Sequence, residues 1–364
     1  MASSLPSPVL RHVAMLPFMA KGHTIPLLHL ARVLLLRGLA SAVTFLATPR
    51  DAPFVRAGAP GAAVVELPFP SSTAGPQSTD ELPSGSSFLD VVSAATGSAM
   101  GLSRGTIVNS FHELESLYID KWNREMPLNK MWPVGPLCLA SEPVRTLDSD
   151  IADWLDSRLA MNRPVLYVAF GSQADLSRAQ LEEIATGLDR SDLDFIWVVR
   201  SRWFNGEEPF QGRFRGRGKV VQGFINQLGI LGHQAIKGFF SHCGWNSVME
   251  SISMGVPILT YPIAAEQKLN AKFVVDVVEV GIRIWPSKRG DSGPASEQQL
   301  VSSDDVETLA RELILGEGGK RAAAKASELA DAARAAVETS GSSFETLELM
   351  LHEVCEIGRP EAKE

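Results

Sequence analysis

The sequence has few cysteines, no excess of basic residues and no long apolar run free of charge. Only three of its 364 residues are cysteine, which fits a reducing compartment and excludes a disulfide framework. The net charge is −8, whereas a nucleic-acid-binding protein usually presents a basic face. The longest apolar segment, Ile25 to Leu39, carries a histidine and two arginines, so it is not a membrane span. The N-terminal residues lack a signal-peptide pattern. We therefore expect a cytosolic protein that binds neither nucleic acid nor membrane.

The order of the predicted elements indicates two α/β domains. The chain has 364 residues, a length typical of two domains. Strands and helices alternate up to Leu67, which predicts the opening of a doubly wound sheet. Only one clear strand, Thr106 to Phe111, is predicted between there and the exit near Leu139. The N-terminal domain is therefore expected to be incomplete. The alternation resumes from Pro164 to Trp285, and this region is expected to form a complete second domain.

A polar stretch between these regions sets the predicted domain boundaries. They are residues 1–139 for the N-terminal domain, 140–150 for a linker, 151–342 for the C-terminal domain, and 343–364 for a C-terminal helix and tail.

The densest set of residues suited to chemistry lies within residues 224–267. A strand, a tight loop and a helix are predicted there, and open α/β sheets bind ligands after the carboxyl ends of their strands. Asn246 and Ser247 open the helix, whose free N–H groups and positive dipole end can bind an anion. His242 ends the strand and can donate to the same anion. Glu250 lies one turn after Ser247, where it can accept from paired hydroxyls such as those of a ribose.

Each of these residues also has a plain structural interpretation. Ser247 and Glu250 have the spacing of a capping box, which is the commoner meaning of that pattern on its own. A capping box leaves the neighbouring histidine, tryptophan and asparagine unexplained. Glu266 and Gln267 follow the next predicted strand, where they can share the hydroxyls of a sugar or cap a helix.

His23 and Ser172 lie outside this region. His23 precedes the first predicted helix, roughly Thr24 to Arg37. A helix N-terminus disfavours the imidazolium and keeps the ring neutral, as a general base at pH 7 must be. The alternative is that the histidine only caps the helix. Ser172 follows another apolar strand and could contact a phosphate.

Residues 224–267 resemble, along their whole length, the signature box of plant secondary-product UDP-glycosyltransferases. These are inverting family-1 enzymes of the GT-B fold. The similarity extends to further motifs, which are Gly22-His23, residues 107–115, residues 132–136 and residues 170–172. The resemblance implies an α/β protein with two Rossmann-like domains facing a cleft, the N-terminal one incomplete.

The resemblance also implies a role for each matching residue. Phe224 would stack on the uracil, at a position where most members carry tryptophan, so the smaller ring should stack somewhat less strongly. The other donor contacts would be Ile225 and Gln227 to the base and its surroundings, Glu250 to the ribose, Ser172, His242, Asn246 and Ser247 to the phosphates, and Trp245, Glu266 and Gln267 to the sugar. His23 would deprotonate the acceptor hydroxyl. No metal or cofactor is expected, because the UDP-sugar is a co-substrate.

One family feature is missing from the sequence. Family members orient the base histidine with an aspartate from the middle of the N-terminal domain, and no matching segment is present here. Asp80, Asp90 and Asp120 lie nearby in sequence but outside the expected context. The same region normally builds much of the acceptor pocket. Its absence puts catalysis in question while leaving the donor residues intact.

The leading hypothesis is therefore a monomeric UDP-glycosyltransferase. It would transfer a sugar, glucose by the resemblance at Gln267, to a hydroxyl of a small lipophilic acceptor such as a flavonoid, another plant secondary metabolite or a hormone. The alternative is a UDP-sugar-binding protein with little or no transferase activity, because His23 would lack its aspartate partner. A nucleotide-sugar epimerase is a weaker third hypothesis, since no catalytic carboxylates are placed for it in the N-terminal half.

Overall fold

The protein, seen in a computed structural model, divides into two compact units. The first consists of Met1–Glu142 with Ala335–Glu364, and the second of Pro143–Arg334. The structure describes residues 11–17, 21–66, 103, 105–140, 147–171, 176–199, 210, 212–223, 225–284 and 300–356. The predicted boundaries placed residues up to 342 in the second domain, whereas the contacts assign the chain from Ala335 onward to the first unit.

The described helices and strands follow one another along both units. The first unit contains β1 (His12–Met15), α1 (Lys21–Leu36), β2 (Ala42–Ala47), α2 (Ala52–Gly58), β3 (Ala63–Glu66), β4 (Gly105–Val108), α3 (His112–Glu125), β5 (Lys130–Pro133) and α4 (Leu137–Ala140). The second contains α5 (Ser149–Ala160), β6 (Val165–Ala169), α6 (Arg178–Arg190), β7 (Asp194–Val199), β8 (Gly218–Gln222), α7 (Gln227–Leu231), β9 (Ile236–Ser241), α8 (Trp245–Ser253), β10 (Ile258–Thr260), α9 (Gln267–Lys272), a π-helical turn (Phe273–Val277), β11 (Gly281–Arg283) and α10 (Ser303–Leu315). The chain closes with α11 (Glu317–Val337) and α12 (Ser342–Glu356).

A six-stranded parallel sheet forms the centre of the second unit, in the order β11-β10-β9-β6-β7-β8. Every residue of β6 and β7 is buried, because helices cover both faces of the sheet. Leu166 and Val168 pack with α6 and α10 on one face, whereas Val165 and Tyr167 pack with α5 and α7 on the other. Burial of each such side chain contributes about 1.5–3 kcal/mol. This core fixes the carboxyl edge of the sheet, where the candidate site lies.

Within its described residues, the first unit contains two smaller parallel sheets, with the strand orders β1-β2-β3 and β4-β5. The first sheet has the β-α-β-α-β order that the sequence predicted. Helix α12 packs on this unit, with Leu347 and Leu351 in the same core cluster as Trp132. Glu353 of the same helix pairs with Lys130 at 2.7 Å. These contacts explain why the C-terminal segment belongs with the first unit.

Helix α1 begins at Lys21, earlier than predicted. His23 therefore lies within its first turn, not before the helix as predicted, and Thr24 is buried inside the helix. The helix ends before Gly38, whose φ of +65° is a left-handed conformation that glycine adopts readily. The predicted end of the helix near Arg37 is confirmed.

Long helices are present in the second half of the chain, but they are not membrane-spanning. Helix α11 has 21 residues, several of them charged. Among the residues described above, no helix combines the length and the apolar character needed to cross a bilayer.

Candidate functional site

The candidate site begins where β6 and β9 end side by side. These strands pair in parallel, with Ala169 opposite Ser241, so the residues that follow them meet at one edge of the sheet. The ring of His242 lies between two glycines there. A Cβ atom added to Gly171 would lie 2.5 Å from Nε2 of His242, and one added to Gly244 would lie 2.6 Å from it. Neither position can carry a side chain unless the histidine moves.

This enclosure decides the charge of His242. Burial lowers the pKa of His242 to about 4, and the carbonyl of Ala169 opposes that shift. The ring is therefore neutral at pH 7 and carries a single N–H group. In the tautomer whose N–H faces away from the Ala169 carbonyl, it can donate one hydrogen bond to an anion without bringing a buried positive charge.

A strained turn at Cys243 leads from the strand into helix α8. Cys243 has a φ of 62°, a left-handed conformation that is unfavourable for a residue with a side chain. Its N–H donates to Oγ of Ser241 at 3.2 Å, and its carbonyl accepts from Nδ2 of Asn270 at 3.0 Å. Burial raises the pKa of the Cys243 thiol to about 12, so the thiol is not a nucleophile at neutral pH. The turn therefore has a structural role, because it sets the direction in which α8 begins.

Helix α8 starts at Trp245 with Gly244 as its N-cap. Because glycine has no side chain to accept from the first turn, the N–H groups there can bind an anion. Asn246 and Ser247 are the next two residues, so Ser247 lies inside the helix. The capping-box alternative for Ser247 is therefore wrong. The indole of Trp245 lies 6.0 Å from the ring of Phe273, measured between centroids.

Gln227 joins the start of α7 to helix α8. Its Nε2 donates to Oγ of Ser247 at 2.9 Å and to Oε2 of Glu250 at 2.6 Å. Burial raises the pKa of Glu250 to about 7, while the hydrogen bond from Gln227 lowers it. A ligand that donates hydroxyl groups to this carboxylate would favour its ionised form. Gln227, Ser247 and Glu250 thus form one hydrogen-bonded cluster.

Gln267 closes the loop after β10. Its Oε1 accepts from the backbone N–H groups of Ile263 at 2.9 Å and Ala264 at 3.0 Å. The carbonyl side of the amide is fixed in this way, which directs Nε2 away from these two groups. Glu266 is exposed and, as the N-cap of α9, makes no side-chain capping bond. Glu266 therefore occupies the N-cap position, as the capping alternative has it, but its side chain does not cap the helix.

The remaining sequence-predicted residues are distributed as follows. Ile225 is buried in the core of the second unit, while Ser172 and Phe224 lie outside the described residues. His23 is exposed in the first turn of α1 and belongs to the first unit, unlike the donor residues.

Of the three aspartates named above as neighbours of the expected segment, Asp120 lies within the described residues. Asp120 pairs with Nε2 of His112 at 3.0 Å, whereas Asp80 and Asp90 lie outside the described residues. The sequence interpretation also missed Asn270, which holds the carbonyl of Cys243. Its position one turn after Gln267 on the same helix could have pointed to it.

No metal site is found within the described ranges. There, no group of three or more His, Cys, Asp or Glu side chains is placed to hold a metal ion. The chemistry available at this edge is therefore that of N–H donors at a helix start, a neutral histidine and a carboxylate with a raised pKa.

A family model described as UDP-glucoronosyl and UDP-glucosyl transferase matches residues 119–328, more than half of the chain. The chain belongs to this family of UDP-glycosyltransferases. The match contains all of the donor residues named above, from β6 to the start of α9.

Two plant UDP-glycosyltransferases show how far the similarity extends. The chain is 43% identical to UDP-glycosyltransferase 90A1 of Arabidopsis thaliana over 257 residues, which are 70% of this chain and 52% of that protein. It is 38% identical to UDP-glycosyltransferase 90A2 of the same plant over 270 residues, which are 71% of this chain and 55% of that protein. The chain thus spans about half the length of these relatives.

A solved plant structure has the same fold. The structure of Phytolacca americana UGT2, complexed with UDP-2fluoro-glucose and pterostilbene, matches 94% of this chain and 99% of its own with a TM-score of 0.74 and 24% identity. The GT-B fold with Rossmann-like units, expected from the sequence, is confirmed by this match.

Proposed function

We propose that this UDP-glycosyltransferase transfers a sugar from a UDP-sugar to a hydroxyl group of a small lipophilic acceptor. The observation that carries the proposal is the contact of one amide, that of Gln227, with both Ser247 and Glu250. It joins a hydroxyl suited to a phosphate with a carboxylate suited to a ribose. The unit that contains them also holds a neutral histidine between two glycines.

The nucleotide would be held by contacts of different chemistry. Glu250 would accept from the ribose hydroxyls, because an ionised carboxylate is an acceptor only. The start of α8, with Asn246 and Ser247, would bind the phosphates through its N–H groups. His242 would add one donor to the β-phosphate. The uracil would stack on Phe224 and contact the backbone of Ile225.

The sugar would be held at the start of α9 and at Trp245. Gln267 keeps its Oε1 for the backbone, so its Nε2 would donate to the sugar while Glu266 accepts from sugar hydroxyls. Glucose is the favoured sugar, by resemblance to family members that carry glutamine at this position.

The reaction would follow the development of charge. The acceptor oxygen attacks the anomeric carbon on the face opposite UDP, the bond from that carbon to the β-phosphate oxygen breaks, and the configuration inverts. His23 would take the proton from the acceptor hydroxyl. Negative charge grows on the leaving diphosphate, where the N–H groups of α8 and His242 would stabilise it. We expect a monomer that acts in the cytosol without a metal or cofactor.

The acceptor is proposed by chemical class. The fold neighbour from Phytolacca americana was solved with pterostilbene, a small lipophilic molecule. Flavonoids, related plant metabolites and lipophilic hormones share this character and carry hydroxyl groups. Such compounds are therefore the first acceptors to test.

A second candidate function is UDP-sugar binding without efficient transfer. The chain spans about half the length of its relatives, and Asp120 is already paired with His112. The sequence contains no segment that matches the one carrying the family's aspartate, the group that would stabilise the positive charge on the base. Donor binding would then persist while transfer is slow.

The experiment combines UDP binding with turnover. The 364-residue chain is titrated with UDP by calorimetry, then incubated with UDP-glucose and a panel of flavonols, stilbenes and phenolic hormones. His23→Ala is compared with His352→Ala, a change at an exposed histidine of α12. Loss of a general base should lower kcat by about 100-fold or more, whereas His352→Ala should leave it unchanged.

Each result separates the candidates. UDP binding with transfer that depends on His23 supports the glycosyltransferase. UDP binding that is lost in the double variant Ser247→Ala/Glu250→Ala, with no transfer to any acceptor, supports the binding protein. Absence of UDP binding by the unmodified chain excludes both.

A further inference from the structure

Tyr167 places one polar atom in a strand that is otherwise apolar. β6 has the sequence VLYVA, and all five residues are buried. The ring of Tyr167 is 1% exposed and stacks on Phe239 with centroids 4.7 Å apart and an interplanar angle of 20°. Packing alone would be satisfied by phenylalanine. The phenolic hydroxyl therefore calls for a separate explanation.

That hydroxyl reaches the amide that organises the candidate site. It donates to Oε1 of Gln227 at 3.1 Å, while Nε2 of the same amide donates to Ser247 and Glu250. Gln227 thus has both ends of its amide occupied, one by β6 and the other by α8. The two contacts on the α8 side join residues that are 20 and 23 positions apart from Gln227 in sequence.

The direction of these bonds follows from the chemistry of the groups. An ionised Glu250 can only accept, so the amide must turn its NH₂ group toward it. Oε1 of Gln227 then faces Tyr167, whose hydroxyl must donate. The reversed amide would set a carbonyl oxygen against a carboxylate oxygen. Because Ser247 accepts from Gln227, its own hydroxyl hydrogen is directed elsewhere, as a phosphate contact requires.

We propose that Tyr167 is a positioning residue for UDP-sugar binding. By holding Oε1 of Gln227 it selects the amide orientation that presents Glu250 to the ribose and the Ser247 hydroxyl to a phosphate. Tyr167 itself touches neither substrate nor reacting atoms in this scheme. The inference rests on the proposed function, since it assigns the ordering of the same donor site.

The test is the replacement Tyr167→Phe, which removes one oxygen and keeps the ring stacked on Phe239. Tyr118→Phe is the matched control, because Tyr118 lies on α3 of the first unit and is 53% exposed. Binding of UDP and of 2′-deoxy-UDP is measured by calorimetry for the full chain and both variants. KM for UDP-glucose and kcat are measured with an acceptor that the unmodified chain uses.

We expect Tyr167→Phe to weaken UDP binding about five-fold, the effect of one neutral hydrogen bond. Binding of 2′-deoxy-UDP, which lacks a hydroxyl that Glu250 would accept from, should weaken by less, about two-fold. KM for UDP-glucose should rise with little change in kcat, because positioning of the donor is impaired rather than the chemical step. Tyr118→Phe should change none of these values.

A double-mutant cycle gives an independent reading. In a Gln227→Ala background the Tyr167→Phe change should have no further effect on UDP affinity, because the group that Tyr167 positions is gone. An additional five-fold loss in that background would overturn the proposal. Equal weakening of UDP and 2′-deoxy-UDP, together with a lower melting temperature, would also overturn it and assign the hydroxyl to stability alone.

The proposal and the function on which it rests fail in different ways. If the unmodified chain binds UDP and the Tyr167→Phe variant binds both nucleotides as tightly as the unmodified chain does, the positioning role is wrong and the donor site stands. If the unmodified chain binds no UDP, both are wrong.

Discussion

Replacement of Gly171 by alanine tests whether the narrow space around His242 builds a phosphate site. The added Cβ would lie 2.5 Å from Nε2 of the histidine, closer than non-bonded atoms approach, so the ring must move. Gly171 also has a φ of +82°, which adds backbone strain of about 1–2 kcal/mol for alanine. The variant therefore carries two separable effects.

Two other glycines separate these effects. Gly216 has a φ of +81° and nothing within 4 Å of an added Cβ, so Gly216→Ala introduces the strain without the clash. Gly244 has a φ of −60°, and its added Cβ would lie 2.6 Å from Nε2 of His242. Gly244→Ala therefore introduces the clash without the strain. All three glycines lie in the second unit.

The expected magnitudes follow from these contacts. Displacing His242 removes a hydrogen bond to a charged phosphate, worth about 1.5–3 kcal/mol, so UDP should bind about 10- to 150-fold more weakly. Gly171→Ala and Gly244→Ala should both show this loss. Gly171→Ala and Gly216→Ala should both lower the free energy of unfolding by about 1–2 kcal/mol, while UDP affinity is unchanged in Gly216→Ala.

The assays are UDP titration by calorimetry and urea unfolding of each variant. UDP affinity that is equal in Gly171→Ala, Gly244→Ala and the unmodified chain would refute the assignment of His242 to the phosphate. A loss of affinity in Gly216→Ala as large as that in Gly171→Ala would show that strain, and not the histidine, is responsible.

Two further predictions concern pH and metal. Burial raises the pKa of Glu250 to about 7, and the ribose requires the ionised carboxylate, so UDP affinity should rise about tenfold from pH 6 to pH 8. The Glu250→Gln variant should lose this pH dependence. A UDP affinity of the unmodified chain that does not change with pH would contradict the role of Glu250. Transfer in the presence of EDTA should equal transfer without it, because the leaving diphosphate would be stabilised by N–H groups alone, and restoration of lost activity by Mg²⁺ would show the opposite.

Local sequence patterns predicted those parts of the site that depend on neighbouring residues. The apolar run that ends at Ser241 forms β9, and α8 begins at Trp245, one residue before the predicted opening at Asn246. Such features need only side-chain periodicity. The spacing of Ser302 and Asp305 is likewise a capping-box pattern, and Ser302 accepts from the N–H of Asp305 at 3.2 Å.

Contacts between residues that are far apart in the chain could not be predicted from the sequence. The bond from Tyr167 to Gln227 joins residues 60 positions apart, and it exists because β6 lies beside β9 in the sheet. Nothing in the run VLYVA distinguishes a tyrosine that only packs from one whose hydroxyl forms a functional hydrogen bond. The turn at Cys243 is a second feature that the sequence could not predict. Its strain appears only in the backbone angle φ, and its carbonyl is held by Asn270.

The residues proposed for donor binding and the proposed catalytic base lie in different units of the chain. Gln227, His242, Ser247 and Glu250 belong to a unit whose central sheet is covered on both faces, so their geometry rests on a complete core. His23 belongs to the other unit, on a helix beside a sheet whose described part has three strands. A change that weakens the first unit should therefore reduce transfer while UDP affinity persists. Measurement of both quantities on one sample assigns any loss of function to its unit.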